Sequence, residues 1–349
     1  MKRRSVGAAV VLTIVLGFGL LGCGNSNTGT EGSSANKETE TTSSAETTSN
    51  SANYPKKDIE IVVPYAAGGS TDMVARAFAQ VLSNYLPNNV NIAVVNVTGG
   101  NNIVGTQEVY SANPDGYTIG CIAAAPLSIV PLYGETEFTH DSFETIAQVT
   151  SIAQVLAVSA NSEWNTIEDV ITYAKENPNA FTYGVGGKTN VSNLALSYLM
   201  MQEGVQMKSV VYNGNSEVLT AFLGGHVNAY TGAATDIKEY VESGEAKILL
   251  NMGFVVEDFY ADATTMEDLG YESVGDAYTG FIAPPDTPDE IMEILETAFE
   301  KAMEDETLLA TYANIGIQPV FLNRAEFQEL ISQTFERNKE VLKYLGEIE

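Results

Sequence analysis

Two stretches of this sequence carry the residue types from which an anion site could be built. The first is Pro64-Tyr65-Ala66-Ala67-Gly68-Gly69-Ser70-Thr71-Asp72, and the second is Gly184-Val185-Gly186-Gly187-Lys188-Thr189-Asn190. In each, glycines follow an apolar run and precede a helical pattern. Several backbone N–H groups and the positive end of a helix would then face one point. The second stretch contains Gly187-Lys188-Thr189, but the first glycine of a Walker A loop would fall on Thr182. Neither stretch has the dinucleotide spacing G-x-G-x-x-G. Taken alone, such a turn is also plain strand-to-helix punctuation, and that alternative stays open for both.

Other chemistry is thinly supplied. Ser70 as a nucleophile lacks the G-x-S-x-G elbow, and the histidines are His140 and His226. His140 lies in a polar loop beside Asp141, and His226 follows Leu223-Gly224-Gly225, so both read as surface imidazoles. Two cysteines and two histidines without ligand spacing argue against a metal centre, and the sequence calls for no cofactor. Cys121, within an apolar run, reads as an inert core thiol. The 17 Lys+Arg against 45 Asp+Glu give 17 − 45 = −28, a field that repels polyanions and argues against a nucleic-acid partner.

The elements that must position the two turns alternate along the chain. Strands are expected at 59–63, 91–97, 117–123, 147–159, 181–184, 208–211, 229–231, 246–251 and 278–283. Helical periodicity covers 73–85, 105–112, 166–177, 191–203, 216–223 and 236–242, and returns from Asp289 to about Leu345 with breaks near Asp305 and at 316–319. Ser70 or Thr71 suits an N-cap with Asp72 in the first turn, and Thr166 with Asp169 forms a capping-box pattern. The 44% apolar content is ample for real cores. The body is therefore α/β, in two lobes.

The N-terminus supplies an address. Lys2, Arg3 and Arg4 precede an apolar run over 6–21 that ends in Leu20-Leu21-Gly22-Cys23. This is the pattern of an export signal, 1–22, and the small residues before one cysteine resemble a bacterial lipobox that would lipidate Cys23. An uncleaved membrane anchor is the alternative, and either places the body outside the cytoplasmic membrane. Loss of the signal removes three basic residues, leaving 14 − 45 = −31. Residues 23–53 are rich in Ser, Thr, Asn, Glu and Gly and read as a disordered tether.

Several motifs together resemble one family. They are Tyr54-Pro55 leading into Ile61-Val62-Val63 and the first turn with Arg76, then Pro114-Asp115-Gly116-Tyr117-Thr118, and Tyr183-Gly184 running to Leu194-Ala195. Tyr212-Asn213-Gly214, Leu223-Gly224-Gly225-His226-Val227 and Gly280-Phe281-Ile282-Ala283-Pro284 with Thr287-Pro288 complete the set. From Tyr54 onward the chain resembles the tripartite tricarboxylate transporter receptors, the Bug-type extracytoplasmic solute-binding proteins.

That resemblance implies a two-lobed periplasmic-binding-protein-like fold (type II), each lobe a central β-sheet flanked by helices, with the ligand cleft between lobes. Lobe 1 would comprise 54–158 and 276–349, and lobe 2 would comprise 159–275. It also implies a monomeric, lipid-anchored receptor that passes a small carboxylate to integral-membrane permease subunits, and no catalysis. The carboxylate would be held by main-chain N–H groups and bridging waters along Tyr65, Ala66, Ala67, Gly68, Gly69, Ser70, Thr71 and Asp72, and along Gly184, Val185, Gly186, Gly187, Lys188, Thr189 and Asn190. Tyr212, Asn213 and Asp236 are further wall candidates, with Tyr65. The chain departs from the family at Asn193 (often histidine), at Thr189 and Asn190 (usually glycine and serine) and at Val211 (usually proline). These changes bear on the contacts to the far end of the ligand. Two other readings are a surface-anchored hydrolase using Ser70 and a lipoprotein that keeps the binding fold but signals to a partner.

Overall fold

A computed structural model describes residues 54–349. The signal segment, Cys23 and the tether lie outside the described residues. The chain opens with β1 (Ile59–Val63), α1 (Ser70–Val81), β2 (Ile92–Asn96), α2 (Ile103–Tyr110), β3 (Thr118–Ala123) and α3 (Ala124–Ser128). A long β4 (Glu144–Ser159) leads to α4 (Ile167–Glu176), β5 (Thr182–Val185), α5 (Val191–Glu203), β6 (Lys208–Val211), α6 (Asn215–Leu223), β7 (Ala229–Ala233), α7 (Ala234–Glu242) and β8 (Ala246–Asn251). A two-residue β9 (Thr264–Thr265) precedes β10 (Asp276–Ala283), α8 (Asp289–Ala302), α9 (Glu306–Asn314), β11 (Pro319–Leu322) and α10 (Arg324–Tyr344).

The strands run in the order β2-β1-β3-β10-β4-β7-β5-β6, with β11 and β8 also on β4 and β9 on β8. β1 pairs in parallel with β2 and β3, and β5 pairs in parallel with β6 and β7. Parallel strands joined by helices must be covered on both faces, which is why β1 and β3 read as near-continuous apolar runs. Each half of the sheet accordingly has two cores. Phe78, Phe281 and Phe299 centre the first, and Phe138, Phe143 and Phe327 lie on the opposite face. Phe181, Leu196 and Leu250 mark the third, and Val218, Phe222 and Tyr230 the fourth. Cys121 is wholly buried in the first, its thiol donating weakly to the Thr71 carbonyl at 3.6 Å.

β4 joins the halves. Its residues from Glu144 to Ala153 pair with β10, whereas Gln154 to Val158 pair with β7 and Val155 to Ser159 pair with β8. The partners thus change between Ala153 and Gln154, inside a strand that continues to Ser159. The chain returns beside it: the Gln154 amide donates to Gly275 O at 2.6 Å, and the Gly275 amide donates to Met252 O at 2.8 Å. A fifth apolar cluster, Ile129, Leu194, Val341 and Leu342, bridges the halves, because α10 lies against both α3 and α5.

Several local features depart from the sequence reading. The N-cap of α1 is Gly69, and the helix starts at Ser70, so neither Ser70 nor Thr71 caps it. α3 and β11 were hidden. α3 is a single turn holding Pro126, and the proline that opens β11 reads as a break but is tolerated at the start of a strand. The Thr166–Asp169 capping box is present with both reciprocal bonds. His226 is exposed, but His140 is half-buried, its ring stacked on Phe335 at 3.9 Å. The apolar face of that ring gains more from the phenyl plane than from water.

Candidate functional site

The first turn leaves the end of β1 and rises into α1. Ala66 to Ser70 are exposed, and Gly68 sits at φ +82°, where a side chain would be strained. Among the described residues no side chain caps α1, so the first-turn amides of Ser70, Thr71 and Asp72 have no intrahelical partner. Asp72 does not point outward with them. It is 2% exposed, and its carboxylate accepts from the Gly68 amide at 2.8 Å, Arg76 Nε at 3.0 Å and Asn96 Nδ2 at 2.8 Å. Asn96 Nδ2 also donates to Tyr65 O at 3.0 Å, and Arg76 Nη2 donates to Asn96 Oδ1 at 3.0 Å. Burial pushes the Asp72 carboxyl up. The bonds from Arg76, Gly68 and Asn96, with the Arg76 charge, outweigh that and hold it below its ordinary value. Asp72 therefore shapes the turn from beneath.

Tyr65 also turns away from solvent. Its ring packs on the first core and its hydroxyl lies against the Ala123 backbone; burial dominates and pushes the phenol up. Thr71 is buried as well.

The second turn is built differently. Gly184 and Val185 are buried, and Thr231 Oγ1 fixes the Gly184 carbonyl at 2.7 Å. Gly186 is a point of close approach: a Cβ there would meet Asn215 Oδ1 at 2.6 Å and the Asn215 amide nitrogen at 3.0 Å. Asn190 caps α5, its Oδ1 accepting from the Ser192 amide and hydroxyl, each at 3.0 Å. That oxygen is committed to the helix rather than to the cleft. Asn193, the departure from the family pattern, is 7% exposed; its Nδ2 donates to Lys188 O at 2.6 Å while its Oδ1 accepts from Tyr183 OH at 3.1 Å. It braces the turn from inside. Lys188 is exposed and pairs with Glu347 Oε1 at 3.3 Å, and Gly187 has open space around it.

The remaining wall candidates are engaged near the second turn. Tyr212 packs on the fourth core, its ring edge 3.4 Å from where a Gly184 Cβ would lie. Asn213 donates from its amide to Glu217 Oε2 at 3.2 Å. Asp236 is exposed, and Oδ2 accepts from Asn215 Nδ2 at 3.0 Å and Tyr230 OH at 3.1 Å. The structure thus gathers Tyr212, Asn213, Asp236 and Asn215 around one turn, and Asp72, Arg76 and Asn96 beneath the other. Asn96 and Asn215 are organisers that residue patterns missed, and Asn193, expected to bear on the far end of the ligand, braces the turn instead; Asp72–Arg76 carried a signal in the i,i+4 spacing of a helical ion pair.

Ala66 to Ser70 are exposed in the first turn, and in the second Lys188 is exposed while Gly186, Gly187 and Thr189 are partly so. Backbone N–H groups at the start of a helix are suited to donate to an oxyanion, although the Gly68 amide is already bonded to Asp72 and the Gly69 amide to Ala66 O. Among the described residues neither histidine bonds Ser70, and no group of His, Cys, Asp and Glu is placed to hold a metal ion. Gly186→Ala should shift the start of α6 and cost about 1–3 kcal/mol, the range for overpacking. Thermal unfolding should then fall by roughly 2–6 °C. An unchanged Tm would show that the Gly186–Asn215 approach is not tight.

Comparison with known proteins agrees with this architecture. The family model for the tripartite tricarboxylate transporter family receptor matches residues 74–347. A UPF0065 protein from the gbd 5′ region of Cupriavidus necator is 30% identical over 296 residues, covering 84% of this chain and 89% of the relative. A TctC solute-binding protein from Polaromonas, solved without ligand, superposes with a TM-score of 0.79 at 27% identity, covering 84% of this chain and 100% of the other. A Rhodopseudomonas palustris protein solved with adipate shares the fold, with a TM-score of 0.64 at 22% identity, covering 84% of this chain and 99% of the other. The shared fold and the match over most of the chain converge, and this chain belongs to the tripartite tricarboxylate transporter receptor family.

Proposed function

We propose that the protein is an extracytoplasmic receptor, lipid-anchored through Cys23, that captures a small carboxylate between its lobes. The ligand is a tricarboxylate, a dicarboxylate or a related acid, which the receptor delivers to the integral-membrane permease subunits of a tripartite transporter. The lobes are residues 54–158 with 276–349, and 159–275, closing on the acid as a monomer.

The observation that carries this reading is the open backbone at the two turns, above all the uncapped start of α1. Hydrogen bonds to a charged group contribute ~1.5–3 kcal/mol each. Three or four, less the cost of immobilising the ligand, give about −8 kcal/mol, a micromolar Kd. The acidic surface does not oppose this, because charge beyond the Debye length of ~8 Å is screened while the local amides are not. The adipate held by the Rhodopseudomonas relative supports a carboxylate ligand for this frame. No described helix is long and apolar enough to cross a membrane, so anchoring rests on the N-terminal segment.

A thermal-shift panel tests the reading, with citrate, tricarballylate, succinate, malate, glutamate, adipate, phthalate and the monocarboxylate hexanoate set beside their neutral amides. An acid at 100 times its Kd adds ~2.7 kcal/mol, which is roughly 5 °C for a body of this size. A shift with an acid but not its amide is expected. Equal shifts with acid and amide, or none with any acid, would refute carboxylate capture.

A further inference from the structure

Thr189, in the second turn, is also one wall of a cavity of ≈ 360 Å³ whose other walls come from the first half of the chain. Ile103, Ala125, Ile129, Val130 and Tyr133 give it an apolar lining. They belong to the start of α2, to α3 and to the turn after it. Asn101, Thr189, Glu135 and the phenol of Tyr133 supply the polar side chains, and of these Glu135 alone is charged at neutral pH. The nearest cation in the same turn, Lys188, is paired with Glu347. Burial, and then the Glu347 charge, push the Tyr133 phenol up, so a second carboxylate acts on this side of the cavity.

We propose that this cavity receives the far end of the bound acid and selects a monocarboxylate with an apolar body over an acid carrying a second carboxylate there. The proposal rests on the reading that the turns hold the first carboxylate. Its volume lies within the ~300–1,000 Å³ usual for small-molecule sites. Each methylene buried on its apolar lining raises affinity about fourfold. A second carboxylate would lose that gain and meet Glu135 with no free counter-cation on the described lining. Thr189, a departure from the family pattern, is the residue of the second turn that lines the cavity.

Calorimetric titration of the purified protein with hexanoate, adipate and hexanamide tests it. Hexanoate and adipate share a six-carbon chain and differ at the far end, and hexanamide lacks the anion. Hexanoate should bind at least tenfold tighter than adipate. Glu135→Gln should raise adipate affinity several-fold and so narrow its gap to hexanoate. Adipate binding as tightly as hexanoate, or a gap that Glu135→Gln does not narrow, would overturn the proposal while leaving carboxylate capture intact. Hexanamide matching hexanoate, or neither acid binding, would instead remove the reading of the turns and this inference with it.

Discussion

Between pH 3.5 and pH 7 the protein should lose about 3 kcal/mol of stability relative to its Asp276→Asn variant. Asp276 opens β10 where the chain returns beside β4, and it is 7% exposed. Its Oδ1 accepts from Ser151 Oγ at 2.9 Å and its Oδ2 from the Phe254 amide at 2.9 Å. Burial pushes its carboxyl up from 3.8 to about 6, against the Phe254, Ser151 and Val255 bonds and the Arg337 charge. A raised acid favours the folded state fully below the unfolded value of 3.8, and that advantage is gone above about 6. Two units correspond to about 3 kcal/mol, or roughly 6 °C in Tm. Thermal unfolding of both proteins from pH 3.5 to 8 reads this directly. A constant difference across that window would show that Asp276 is not held as a buried acid.

Asp72 should leave the opposite signature and the second large effect. Its folded carboxyl lies below the usual value, so its contribution is present above 3.8 and is lost only on further acidification. Asp72→Ala removes the acceptor for three donors and leaves the Gly68 amide and Asn96 Nδ2 without it. The expected cost is about 3 kcal/mol, a Tm lower by roughly 6 °C. The first turn should lose its shape as well, weakening acid binding at least tenfold. Asp72→Asn, which keeps an acceptor but not the charge, should fall between. If Asp72→Ala bound acid like the parent, the carboxylate beneath the turn would have no role in holding the amides.

The alternation of strands and helices and both glycine turns were legible because apolar runs and helical periods are local signals. The Thr166 capping box was legible for the same reason. What escaped was non-local. β4 gives no break at Ala153 because it is buried along nearly its whole length while its partners change. Asn96 lies far along the chain from the turn it secures, and Asn193 reads as one polar residue on an apolar helix until Lys188 O is found beside it. Asp72, expected to line the ligand with its neighbours, is instead buried beneath the turn, because an i,i+4 arginine and a β2 asparagine draw its carboxylate under. Asp276 is one of 45 acidic residues in the sequence, and only the return strand shows that it is buried.

Hydrogen–deuterium exchange at the two turns tests the central claim most directly. With the tightest-binding acid of the panel present, peptides covering 66–72 and 186–190 should both gain protection, and the neutral amide should give none. Protection confined to other segments, or equal protection by acid and amide, would contradict a carboxylate held between the two backbone turns.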